Sequence, residues 1–285
     1  MRKFFRNLGI ISLICFSFYF TEKTVVVIKN ADELMIELKS KQHEYFVEPI
    51  DGIIQNNTFI PGISGKKVNI NESYKRIKQY GMFNDKLLIY DEVKPKNKLE
   101  DNMDKYILSG NKNKKQVSII LLLTNSNYLD ELLKILKKNN IKVNFFIDGN
   151  WLEGNREYLL KIVNDGHDIG NLSYDLDYNN SSYHWMDNII KKATGEVNNY
   201  CYNIKENETA LGICSLNQNY MIRPNLILDN NYLLNIKQNL KAGSIISLPI
   251  DSEIKDSILP ITNYIKSKGY EVVTLDTLLK ENVHI

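Results

Sequence analysis

The feature that most constrains this chain is the near-continuous aliphatic run at residues 117–123, VSIILLL. A strand with one face in water alternates apolar and polar side chains, so a strand that does not alternate is covered on both faces. Two-sided cover is the mark of a parallel sheet, whose strands need crossover helices to connect them. The sequence downstream supplies both elements. Residues 129–138 carry Leu132, Leu133, Ile135 and Leu136 at helical spacing, and Asn139 and Asn140 end the run. A strand is expected at 143–147, a helix at 157–164 closed by Gly166, and a short strand at 168–171. A helix begins at 187–192. Later strands are expected at 200–204, 220–222, 244–248 and 272–275, with helices at about 231–241 and 257–268. Strands that alternate with helices in this way predict an α/β fold with a parallel sheet or barrel over residues 114–285.

Upstream the pattern differs. Residues 25–28 read as a short strand. Residues 31–41 read as a helix on Leu34, Met35 and Leu38. Pro49, Gly52, Pro61, Gly62 and Gly65 break the stretch from 47 to 65 into short strands and turns. A helix is expected at 73–80 and a strand at 86–90, and the polar stretch 94–113 is apolar only at 106–108. Residues 24–113 therefore read as a small α+β extension, with no catalytic motif in it.

The first 23 residues stand apart. Arg2, Lys3 and Arg6 precede an uncharged, mostly apolar run from Leu8 to Phe20, and Glu22 and Lys23 end it. A basic start before an apolar run of about 7–15 residues is the pattern of a secretory signal. Phe18, Tyr19 and Phe20 occupy the place where a small-residue cleavage site would stand. The segment therefore reads as an uncleaved signal-anchor. A cleaved signal peptide and a buried N-terminal element are the alternatives. The positive-inside rule puts the bulk of the chain on the extracytoplasmic side.

With 36 Lys and Arg against 34 Asp and Glu, net charge is only +2 and the two signs are interleaved, which argues against a nucleic-acid partner. No P-loop, Rossmann fingerprint or nucleophile elbow is present. Of the three cysteines, Cys15 lies in the apolar run. Cys201 and Cys214 lie in the exported part, where an oxidising compartment permits a bridge. Two separate buried thiols are the alternative reading.

The stretch LLKILKKNNIKVNFFIDGNWLEGNREYLLKIVNDGHDIGNLSY, residues 132–174, resembles the polysaccharide deacetylases of the NodB-homology group. It is similar to that family's helix, its TFF strand, the following helix and its GHEIGNH motif. AGSIISLPID and ILPITNYIKSKGYEVVTLDTLL resemble the family's last strand, helix and closing strand. The likeness covers about residues 115–280. It implies an irregular (β/α) barrel with its site at the C-terminal ends of the strands. It also implies removal of acetyl groups from cell-wall glycan by a divalent metal such as zinc, held by one Asp and two His, which polarises the carbonyl and activates a water. A second Asp would act as general base and a late-strand His as general acid.

At each of these positions the chain departs from the family. The base position reads Ser126 and the Asp ligand reads Asn127. The two His ligands read Leu172 and Leu176, and the late-strand His falls at Pro249. Leucine cannot ligate a metal in any protonation state, and serine does not take a proton from water near neutral pH. No catalytic residue and no resident metal or other cofactor are therefore expected. Asp175, Asp177, His167 and His184 are what remains from which a rearranged site could be built. Trp151, Tyr174, Asp175, Tyr178 and Trp185 are candidates for lining a glycan groove, though aromatics also fill cores. The expectation is a membrane-anchored, catalytically inactive deacetylase-like protein that binds cell-wall glycan or an envelope partner. The alternatives are an active hydrolase with a rearranged metal site, and an envelope or spore assembly scaffold.

Overall fold

A computed structural model describes residues 11, 15–19, 32–195 and 199–282. The strand expected at 25–28 and most of the N-terminal apolar run lie outside the described residues.

The helices and strands follow in chain order as α1 (Glu33–Lys41), β1 (Ile53–Gln55), β2 (Thr58–Ile60), β3 (Gly65–Val68), α2 (Ile70–Lys78), β4 (Tyr90–Val93) and β5 (Tyr106–Ile107). Next come β6 (Gln116–Leu123), α3 (Leu129–Lys138), β7 (Asn144–Ile147), α4 (Gly149–Glu153), α5 (Glu157–Asn164), β8 (Asp168–Asn171) and α6 (Asn180–Thr194). The chain continues through β9 (Tyr200–Tyr202), α7 (Glu208–Leu216), β10 (Tyr220–Ile222), β11 (Leu226–Ile227), α8 (Tyr232–Asn239) and β12 (Ile245–Pro249). It closes with α9 (Ser252–Ser267), β13 (Glu271–Val272) and α10 (Leu275–Leu279).

The described residues divide into two compact units, one holding 32–49 and 64–93, the other 50–63, 94–195 and 199–282. In the smaller unit β3 and β4 form an antiparallel pair. Helices α1 and α2 supply most of its core, which gathers Met35, Leu38, Val68, Tyr74, Ile77 and Leu88. Asp32 caps α1 through the Leu34 N–H and also accepts the Tyr74 hydroxyl at 2.9 Å.

The second unit corrects the expected domain limits. Residues 50–63 and 94–113 do not belong to a separate extension. They add strands β1, β2 and β5 to the large sheet. The reason is burial: Phe59 and Ile107 are fully buried in that sheet's interior, each on a strand of two or three residues set in polar sequence. Strands that short leave no periodicity to detect.

The large sheet runs in the order β1-β2-β5-β10-β9-β8-β7-β6-β12-β11, with β13 pairing the start of β6. Every pairing is parallel except β1–β2. The sheet curls into a half-barrel with helices on its outer face. Strand β6 is buried on both faces, as its sequence requires. Ile119, Leu121 and Leu123 meet the helical layer, where Leu132, Leu136, Leu159, Ile258 and Ile261 lie, while Ile120 points to the interior with Phe146, Leu172 and Tyr202. The interior is also tied by polar groups. The Asn144 amide donates to Ser118 Oγ and the Ile119 carbonyl, and its oxygen accepts the Leu275 N–H at 2.7 Å.

Helices α3 and α5 and strands β8 and β10 have the limits that periodicity predicts. Others differ for local reasons. Helix α6 starts at Asn180 rather than near Asp187, because Asn179 and Ser182 form a capping box that periodicity does not report. Helix α9 starts at Ser252, capped by Asp251. Helix α7, capped by Asn207, was not expected, since its sequence ETALGICSL is nearly apolar all round and carries a glycine. The strand expected at 272–275 stops at Val272, and Leu275 opens α10.

Candidate functional site

In parallel strands the C-terminal ends lie together. Here register aligns Leu123, Ile147 and Asn171 across β6, β7 and β8, and pairs Pro249 of β12 with Leu122. The family-implied site must therefore be built from the loops at 124–128, 148–151, 172–178 and 249–251.

The first loop holds the expected base and ligand positions. Ser126 and Asn127 both lie in solvent. The Asn127 N–H donates to the Asn125 side chain at 3.1 Å, and Ser126 contributes its carbonyl to the Leu129 N–H. Their side-chain types offer one neutral carbonyl and one hydroxyl.

The third loop separates the two leucines. Leu172 is 1% exposed and sits in the barrel interior with Phe146, Ile120 and Tyr202. Leu176 is 40% exposed. Between them the chain turns sharply: Ser173, Asp175 and Leu176 all have positive φ, at 68°, 53° and 58°. Residues 174–178 therefore do not run as an extended segment. Left-handed backbone is uncommon for residues other than glycine and costs on the order of 1–3 kcal/mol at each position. Hydrogen bonds hold the turn. The Ser173 N–H donates to Asn171 Oδ1 at 2.6 Å, and the Leu176 N–H donates to Asp148 Oδ1 at 3.2 Å.

Asp148 is a residue that pattern reading missed. It follows the apolar strand β7 directly, and a carboxylate placed there at a strand's C-terminal end was the available signal. It is 6% exposed, and burial raises its pKa while the Leu176 N–H lowers it. The nearby Asp175 carboxylate raises it further and accepts the Asn150 amide. Two carboxylates beside the exposed Asn150 amide do not make a tetrahedral or octahedral ligand set. Among the described residues no group of three or more His, Cys, Asp or Glu converges. With leucine at both His positions, one of them buried in the apolar interior, the residues present do not fit the divalent metal that the resemblance implies.

The remaining candidates scatter. His167 precedes β8 and so lies at the opposite end of that strand from the loops above. Its Nδ1 accepts the Val143 N–H at 3.2 Å, its ring meets Phe145 edge-on, and burial lowers its pKa to about 4. It is a core residue. His184 is exposed on α6, and its ring meets Tyr183. Asp177 accepts the Asn179 side chain at 3.2 Å.

Of the groove candidates, Tyr174 and Trp185 come together at 5.4 Å in an edge-to-face pair. Both press on Gly149, where an added Cβ would fall 2.8 Å from Tyr174 and 3.1 Å from Trp185. Asp175 lies beside them through Asn150. Trp151 and Tyr178 do not join this group. Trp151 is buried in the helical layer and Tyr178 in a core with Tyr183, Cys201 and Cys214, so neither can offer a ring face to a sugar. Pro249 is half-buried at the end of β12. Cys201 and Cys214 are joined as a disulfide that ties β9 to α7. No described helix is long and apolar enough to cross a membrane.

Residues 109–207 match the family model for polysaccharide deacetylase. A curated Bacillus subtilis relative, the uncharacterized protein YlxY, is 42% identical over 156 residues, which is 53% of this chain and 48% of that protein. The match thus spans about half the length of the relative. Among solved structures, BA3943 from Bacillus anthracis, described as a CE4 family pseudoenzyme, superposes with a TM-score of 0.68 at 24% identity, over 89% of this chain and 97% of that one. A mutant of the same protein, described as having restored enzymatic activity, gives 0.69. A family 4 carbohydrate esterase from Bacillus anthracis gives 0.53 at 22% identity, over 61% of this chain and 87% of its own. At these identities the structures show a shared fold.

Proposed function

We propose, from the match of residues 109–207 to the polysaccharide deacetylase family model, that the protein is a catalytically silent deacetylase-like domain that binds cell-wall glycan instead of hydrolysing it. One observation carries the reading. Leu172 and Leu176 diverge at the loop where two ligands would have to converge, one into the barrel interior and the other into solvent. No single change of residue type at either position brings two donors to one point. The pseudoenzyme description of BA3943, whose fold this chain shares, supports the same reading. Glycan as the partner follows from the family's substrate class and from the exposed parts of the Tyr174–Trp185 pair. A basic and then apolar N-terminal segment supports a single-pass anchor that holds the domain on the extracytoplasmic side of the membrane.

The test is direct. The full chain is incubated with zinc or cobalt, and acetate release from N-acetylated glycan oligomers is measured beside metal content. No acetate release and no stoichiometric metal are expected, together with retention on insoluble cell-wall glycan. One tightly bound metal per chain with turnover would overturn the reading. A rearranged site on His184, Asp175 or Asp177 has no geometric support, since these residues make separate local contacts.

A further inference from the structure

Within the larger unit a cleft of about 540 Å³ opens between the β1–β2 hairpin, β5, the segment leading into α7, and the end of β10. The hairpin, Tyr106 and Arg223 all lie outside the segment that matches the deacetylase family, and none of the family-implied ligand positions lines the cleft. Its chemistry is specific. Asn56 and Asn57 present carboxamides from the hairpin turn, which Asn56 makes with a φ of 52°. Arg223 faces Glu206, Nε to Oε1 at 2.8 Å, which balances one carboxylate. Glu208 is left as the excess charge, at the first position of α7. Tyr106 is nine-tenths buried. Its oxygen accepts the Asn207 N–H at 3.2 Å, so its own O–H is free to donate into the cleft, and burial keeps that proton on by raising the phenol's pKa.

These groups select a ligand class. Amides, a phenol and a guanidinium supply donors and acceptors in several directions, which suits a hydroxyl-rich ligand. One surplus carboxylate disfavours an anion and favours a single positive charge. The lining also holds apolar surface from Leu108 and the Tyr106 ring, of the kind against which the C–H face of a sugar ring can pack. We propose that this cleft is a saccharide subsite for an amino sugar with a free amine, in which Glu208 accepts the ammonium and Asn57, Tyr106 and Arg223 hold the ring hydroxyls. It rests on the glycan-binding reading and narrows it: the subsite recognises glycan already deacetylated, the product rather than the substrate of the family's reaction.

The experiment titrates the full chain by calorimetry with three probes: the glucosamine tetramer, its fully N-acetylated counterpart and tetralysine. The glucosamine tetramer is expected to bind about tenfold more tightly than either of the others, and Glu208→Gln to remove most of that preference. Glu208 is exposed, so this variant keeps the fold, and Asn57→Ala should weaken all sugar binding without changing the preference. If the acetylated tetramer binds as well as the free amine and Glu208→Gln changes nothing, the subsite is wrong while glycan binding stands. Tetralysine binding equally well would replace the sugar with a simple cation or basic peptide and overturn the proposal. If neither tetramer nor insoluble glycan binds, the broader reading falls with it.

Discussion

The Tyr178 hydroxyl accepts the backbone N–H of Tyr202 at 3.1 Å and donates to the carbonyl of Asn171. It thereby stands between β8 and β9, whose direct pairing is limited to Asn171 with Cys201. A ring at that depth is a spacer between two strands. Tyr178→Phe leaves a buried carbonyl and a buried amide without a partner, and each such group costs about 1–3 kcal/mol. The variant should lose about 2–6 kcal/mol in urea unfolding and leave glycan retention unchanged. A variant of wild-type stability that no longer holds glycan would return Tyr178 to the groove.

The two leucines should part company under mutation. Leu172→Ala removes side-chain volume from the sealed interior and should cost about 2–5 kcal/mol. Leu176→Ala changes a side chain that is 40% exposed and should stay within about 0.5 kcal/mol of the parent. Thermal unfolding of the pair checks this. Equal losses would mean that Leu176 is packed too.

His167 makes stability depend on pH. Its folded pKa is about 4 against an ordinary 6.5, because burial penalises the charged ring. The unfolded chain therefore binds a proton that the folded chain refuses. This contribution to stability is complete above pH 6.5, shrinks as pH falls towards 4, and is constant below it. The loss across that window is about 3 kcal/mol. Urea midpoints at pH 7 and pH 4.5 should differ more for the parent than for His167→Gln. An equal drop in both would assign the acid sensitivity elsewhere.

Cys201 and Cys214 are separated by 13 residues, and a bridge closing a loop of that size stabilises by about 3 kcal/mol. Replacing both with serine, or adding reductant, should lower the unfolding midpoint accordingly. An unchanged midpoint in reductant would show that packing of α7 on β9 and β10 needs no covalent tie.

How far the sequence discloses this molecule depends on segment length. Strand β6 and helices α3 and α5 are legible because each is long enough for its pattern to repeat. Strands β5 and β11 are two residues each, and their place in the sheet follows from tertiary pairing that no local pattern carries. The site divides the same way. The absence of ligands at residues 127, 172 and 176 is plain from residue types. The divergence of Leu172 from Leu176 and the contact of Asp148 with the Leu176 N–H depend on a turn with three left-handed residues. Since Ser and Leu do not favour positive φ, and Asp175 alone is of a type that tolerates it, that turn is not legible in sequence.

The non-contiguous make-up of the larger unit bears on how this chain can be cut. Strand β10 is flanked by β5 on one side, and β5 in turn by β2 and β1. A fragment beginning near residue 114, where the family likeness starts, would strip those three strands and leave β10 with a bare row of amides and carbonyls. Unpaired edges of that kind recruit other chains. A minimal domain trimmed to the family limits should therefore self-associate, and the two short hairpin strands act as the sheet's hem.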